Sequence, residues 1–140
     1  MGKKTNIVTN EMMIETLSSS LVEGETLQTP FYAICEEKGR QKHNGFCFIG
    51  TTESVLLFAL LNIHATRVES TTRIPLKEIK KIEFRRSFFM KHIFIKITFY
   101  EGKDITIRAS TKALLGGFTN QEFHLLNFIE KLRAFNQDGT

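Results

Sequence analysis

Gly45-Phe46-Cys47-Phe48-Ile49, then Thr51-Thr52-Glu53-Ser54-Val55-Leu56-Leu57-Phe58, then Ile74-Pro75-Leu76-Lys77-Glu78-Ile79, set the architecture of this chain, because three apolar strand segments follow one another between turn residues. Upstream, Phe31, Ala33 and Cys35 alternate with Tyr32, Ile34 and Glu36, which is the two-residue period of a strand starting near Gln28. Residues 38–45 supply a glycine-bounded loop before the next strand. The runs at 46–49 and 55–61 are nearly continuous in apolar character, so both of their faces are expected to be buried, as where a helix or a partner covers a sheet. Residues 65–74 are polar around an isolated Val68 and read as a weak edge strand.

Downstream the alternation sharpens. Ile82 and Phe84 oppose Lys81, Glu83 and Arg85, and Ile93, Ile95, Ile97 and Phe99 oppose Phe94, Lys96 and Thr98. The apolar faces coincide only if paired positions sum to an odd number, so Phe84 faces Ile95 or Ile97 but never Lys96. The tip between them, residues 87–92, contains no Gly, Asn, Asp or Pro, which predicts a longer connection or a tip held by a partner. Glu101-Gly102-Lys103 is expected to join Phe99 to Ile105 as a three-residue loop.

Two helices flank these strands. Residues 1–8 read as a tail; Thr9 or Asn10 caps a helix over 9–22 with Ile14, Leu17 and Leu21 on one face, ending at Gly24. Near the other end, Thr119-Asn120-Gln121-Glu122 is a capping box with Phe118 and Phe123 as its hydrophobic staple. Leu125, Phe128, Ile129, Leu132 and Phe135 then form one apolar stripe, on a helix that should plug one opening of the strand assembly.

A chain of 140 residues fits one domain, and thirteen Phe with no Trp point to a Phe-rich core. No stretch approaches the roughly 18 uninterrupted apolar residues that a spanning helix needs, so a soluble protein is expected. The start carries no apolar run of signal-peptide length, and Asn6 stands where the myristoylation pattern requires Ser or Thr. Two cysteines without CxxC spacing read as buried thiols in a reducing, cytoplasmic interior, and His43 and His64 do not complete a metal site. No cofactor is implied.

The order of a Gly-led apolar strand, a Thr-containing turn, a second apolar strand ending in Phe58 and an Ile-Pro-Leu-x-x-Ile segment resembles the bacterial pleckstrin-homology-like (PH-like) domains of the YokE type and related GRAM-like domains. The resemblance covers residues 22–135, with 1–21 as an added tail and helix and 136–140 as a C-terminal tail. It implies a mainly β fold with α: a seven-stranded, partly open barrel capped by the C-terminal amphipathic helix, with an extra N-terminal helix. It also implies a module that binds membranes, lipids, proteins or copies of itself. The chain departs from the pattern at Glu53-Ser54, where a basic residue often stands, and in lacking a Trp in its last helix, as eukaryotic PH domains have. The second departure argues against a typical phosphoinositide reader.

Two basic segments are the candidate sites. Lys38, Arg40 and Lys42, with His43, lie where the resemblance places a lipid-headgroup site; the competing reading is a solvated loop whose charge Glu36 and Glu37 dilute. The stretch from Arg73 to Lys96 carries eight cations against two acids, or +6, while the whole chain is +4. Within it Arg85, Arg86 and Lys91 flank Phe88, Phe89 and Met90, a cation-plus-apolar arrangement suited to a bilayer interface or a protein groove. The leading expectation is thus a non-enzymatic binding module using Lys38, Arg40, Lys42, Arg85, Arg86, Phe89 and Lys91. Its partner would be a protein, a second copy or an anionic surface at the inner face of the membrane. A nucleic-acid binder using residues 73–96 is the alternative, and a small-molecule-binding barrel or an unrecognised enzyme comes third.

Overall fold

The structure is a computed structural model that describes residues 9–38, 43–61, 67–86, 92–110 and 121–138. Among them, helix α1 (Asn10–Ser18) precedes strands β1 (Gln28–Lys38), β2 (His43–Thr51), β3 (Val55–Leu61), β4 (Val68–Pro75), β5 (Ile79–Arg86), β6 (His92–Phe99) and β7 (Asp104–Ser110), and helix α2 (Gln121–Asp138) closes the chain. The strands form one antiparallel sheet in the order β4-β3-β2-β1-β7-β6-β5. β1 joins its two halves, pairing with β2 along most of its length and with β7 from Ile34 to Lys38.

Curling the sheet puts one set of alternate residues inside. Phe31, Ala33, Ile49, Leu56, Ile93, Ile95, Ile97 and Ile107 are buried there with Leu125, Phe128, Ile129 and Leu132 of α2. The α2 stripe therefore fills the interior as its 3.6-residue period requires, and the Phe128 ring meets Phe31 edge-on at 4.8 Å between centroids. Phe123, at 63% exposure, lies on the opposite side of α2; the expected staple partner Phe118 and the cap residues Thr119 and Asn120 lie outside the described residues.

In the β5–β6 hairpin Ile82 pairs with Ile97, Glu83 with Lys96 and Phe84 with Ile95, so the parity rule holds. Ile79 pairs with Phe99 out of that parity, and a register shift between Ile79 and Lys81 lets both Ile79 and Ile82 turn inward. Ile74-Pro75 ends β4, and Leu76–Glu78 is one 3-10 turn where the sequence reading placed a strand. Leu76 is fully buried and its amide donates to the Ser54 carbonyl, so a turn delivers the apolar side chain that a strand was expected to deliver. The β6–β7 connection is one residue longer than expected: it begins at Tyr100, and Gly102 takes the left-handed φ of 98° that glycine adopts without steric cost. β2 begins at His43, so the first hairpin loop is shorter than residues 38–45.

The continuous apolar runs are explained by α1. Residues on the outer face of β2 and β3, namely Phe48, Leu57, Ala59 and Leu61, pack under Met13 and Leu17. Gly50 permits that approach, because a Cβ there would stand 2.9 Å from Leu27 Cδ1 and 3.2 Å from Leu17 Cδ1. Thr9 caps α1, its Oγ1 accepting from the Met12 amide at 3.1 Å. The helix stops at Ser18 rather than running to Gly24, and Gly24, with φ 90°, belongs to the following turn.

A bidentate clamp fixes that turn to β4. Arg73 donates from Nη1 to Glu25 Oε1 at 2.8 Å and from Nη2 to Oε2 at 2.7 Å, and also to the Ser20 carbonyl at 2.8 Å. The Arg73 hydrogen bonds, followed by the Val22 amide, hold the Glu25 carboxyl down from 4.5 to about 2. A carboxyl depressed on folding stabilises the native state above its ordinary pKa, and that contribution fades as pH falls from about 4.5 through about 2. Glu25→Gln is expected to lower the urea midpoint at pH 7 and to match the parent near pH 2. A midpoint difference that persists undiminished at pH 2 would assign the effect to something other than the carboxylate.

The two cysteines, expected as free thiols, form a disulfide. Cys35 lies opposite Gly45 and Cys47 opposite Ala33, so they are diagonal neighbours on the inner face, with Cα atoms 6.4 Å apart. The premise on which a reducing compartment was inferred is thereby removed. Among the described residues no helix is long and apolar enough to cross a membrane.

Candidate functional site

Of the predicted basic residues, Lys38, Arg85 and Arg86 lie among the described strands, and they stand at opposite ends of the sheet. Moving across the sheet, Lys38 is level with Asp104 of β7 and Thr98 of β6, and the neighbouring position on β5 is Lys81. Arg86 pairs with Ile93 at the other end of β5. Lys38, at the end of β1, and Arg85 and Arg86, at the end of β5, therefore lie at opposite ends of the strands. Arg40, Lys42, Phe89 and Lys91 lie outside the described residues, as do Phe88 and Met90.

Half of the +6 of this stretch is met by three acids from outside it, Glu25, Glu122 and Asp104. Arg73 binds Glu25, Lys81 lies 3.0 Å from Glu83, Arg86 lies 3.2 Å from Glu122 and Lys96 lies 3.8 Å from Asp104. Lys81, and then the field of Lys96, depress the Glu83 carboxyl below its ordinary value. Glu122 thus points its carboxylate to β5. Arg85 lies on the outer face of the sheet with its guanidinium 5.4 Å from the Phe94 ring centre.

Two of the five exposed large apolar side chains among the described residues, Phe84 and Leu126, stand instead where β5 meets α2, whereas Val22, Tyr100 and Phe123 lie elsewhere. Phe84 is 44% exposed and Leu126 39%. Arg133 of α2 covers the Phe84 ring at 5.0 Å, while Glu122 reaches Arg86, so the flank of α2 turned toward β5 carries Glu122, Leu126 and Arg133 at helical spacings of four and seven. β5 is an edge strand among the described residues. The other edge strand, β4, shows no comparable apolar group beside it: its exposed positions are Glu69, Ser70, Thr71, Thr72, Arg73 and Pro75.

Gln121 sets the angle between these elements. β1 and β7 part beyond the Ile34–Arg108 pair, and the Gln121 side chain enters the gap. Its Nε2 donates to the Tyr32 carbonyl at 2.8 Å and the Ser110 carbonyl at 3.2 Å, and its Oε1 accepts from the Tyr32 amide at 3.3 Å. A side-chain amide thus stands in for a rung of the ladder and anchors the start of α2. Burial pushes the neighbouring Tyr32 hydroxyl up to about 12 and holds His124 below its ordinary value.

A cavity of about 310 Å³ occupies the opposite end of the barrel. Cys35 and Cys47 lie in its wall with Phe58, Leu60, Phe99 and Ile105. Neither this cavity nor the Phe84–Leu126 flank was named from the sequence. Phe84 and Leu126 read there as ordinary members of amphipathic elements, and only the angle of α2 leaves them uncovered. No group of three or more His, Cys, Asp or Glu side chains among the described residues is placed to hold a metal ion.

No protein-family model matches the chain, and no curated protein does. Among solved structures it is similar to the hSac2 domain from the human phosphoinositide phosphatase Sac2, with a TM-score of 0.57 at 15% identity over 91% of this chain and 80% of that one. It is similar also to a structure of Vav1 bound by an allosteric inhibitor, with a TM-score of 0.50 at 8% identity over 90% of this chain and 33% of that one. The fold is PH-like. At these identities the likeness is one of architecture.

Proposed function

We propose that the protein is a non-enzymatic PH-like binding module whose β5–α2 face takes an extended segment of a protein partner. The observation that carries this reading is the coincidence of an open strand edge with the exposed Phe84 and Leu126 beside it. An edge strand offers backbone donors and acceptors to an added strand, and side-chain pockets beside it supply selectivity. Arg85 and Arg133 border the face while Arg86 is held by Glu122, so the segment favoured is one with an apolar residue between acidic ones. The kinship with bacterial YokE-type domains, resting on residues 45–58 and 74–79, belongs to this proposal. The nucleic-acid reading loses support because Arg73, Lys81, Arg86 and Lys96 already face acids.

Selection of twelve-residue peptides from a random displayed library is the test. The expected result is enrichment of acidic sequences with one large apolar residue, and binding at least tenfold weaker in Phe84→Ser. That substitution at a 44% exposed position should shift stability by no more than about 0.5 kcal/mol. Peptides that bind Phe84→Ser as well as the parent would overturn the reading. So would a dimer dissolved by Phe84→Ser, which would assign the face to self-association, or binding confined to anionic vesicles.

A further inference from the structure

The cavity opposite α2 is a second feature, independent of the β5–α2 face. Interiors of this size are ordinarily packed to crystal density, with few voids larger than a water molecule. Here α2 fills the interior around Phe31, whereas Cys35, four residues further along the same face of β1, borders open space. The disulfide ties β1 to β2 in that wall, and Phe99 and Ile105 bring the β6–β7 hairpin against it from the other side. The walls are therefore held apart by covalent and sheet bonding rather than free to collapse.

The lining defines the ligand. Phe58, Leu60, Ile74, Phe99 and Ile105 make it mainly apolar. Ser70 and Thr72 pair with Leu60 and Phe58 and so turn hydroxyls to the same side. Each hydroxyl both donates and accepts. The charged side chains in the lining, Arg73, Glu78, Glu101 and Lys103, are two of each sign, and Arg73 is held by Glu25, so no net charge is concentrated there to select an ion. Since an apolar cavity of about 150 Å³ holds benzene, one of twice that volume takes about twelve heavy atoms. We propose that this cavity is a binding site for a compact, uncharged, largely apolar molecule of that size carrying one hydroxyl or carbonyl group.

2-Naphthol, an uncharged bicycle with one hydroxyl, is the probe, and the oxidised full chain is titrated with it by calorimetry and by methyl NMR. Binding with a dissociation constant on the order of 100 µM or tighter is expected, with shifts at Leu60, Ile74 and Ile105. Thr72→Trp, which places an indole on the cavity side of β4, should weaken binding at least tenfold. Thr71→Trp, on the other face of the same strand, should leave it unchanged. Absence of binding, shifts confined to α2, or equal loss in both variants would overturn the proposal. An equally strong response to inositol hexakisphosphate at the same methyls would also overturn it, because the site would then read charge. Phe84→Ser should bind the probe like the parent, which separates this site from the peptide face.

Discussion

Phe128→Ala is expected to destabilise the protein by about 3–5 kcal/mol, the largest effect of any single truncation considered. Phe128 is fully buried and its ring packs edge-on against Phe31, itself fully buried on β1. β2 pairs with β1 at Phe31 and the Gln121 side chain bonds β1 at Tyr32, so the space left by the ring closes only in part and the cavity adds to the lost transfer energy. Urea denaturation should show the midpoint falling while the slope stays constant, which identifies a change of stability rather than of the unfolded state. Phe123→Ala, three-fifths exposed on the same helix, should change stability by less than about 0.5 kcal/mol. Equal effects at the two positions, or a change below about 1 kcal/mol at Phe128, would show that α2 is peripheral to the core.

Reduction of the Cys35–Cys47 disulfide is the second large effect. The bond closes a loop with a sequence separation of 12, for which the chain-entropy relation gives about 3 kcal/mol of restraint on the unfolded state. Parallel unfolding curves with and without dithiothreitol should therefore separate by about that amount. Alkylation of the denatured, unreduced chain should modify neither cysteine. Two alkylated cysteines there would exclude the bond, and coincident unfolding curves would show that the β1–β2 pairing already restrains the unfolded chain. Because the sulfurs lie in the cavity wall, the reduced protein also provides a direct check on whether the bond keeps that wall in place.

Much of the architecture was legible because strand and helix periods record which side chains go inside. The alternation through Ile82, Phe84, Ile93, Ile95 and Ile97 restricted the β5–β6 register by parity to Phe84 opposite Ile95 or Ile97, of which the structure takes Ile95, and the Leu125–Phe128–Leu132 stripe determined the buried face of α2. The doubled apolar character of residues 46–49 and 55–61 announced a second covering layer, which α1 supplies. What periodicity does not record is where separate elements meet. Arg73 and Glu25 are 48 residues apart, and Arg86 and Glu122 are 36 apart, so a charge run that sums to +6 along the chain meets acids in space that its own stretch of sequence does not contain. The same limit explains the two cysteines, whose diagonal approach follows from the β1–β2 register rather than from their spacing in sequence. It explains also why Lys38 and the Arg85–Arg86 pair stand at opposite ends of the sheet and why Phe84 and Leu126 are left uncovered. The sequence by itself determined which face of each element is apolar; the tertiary structure alone decided which faces are covered, because that depends on the angle at which α2 crosses β5 and on the volume left between walls that strand pairing and the disulfide hold apart.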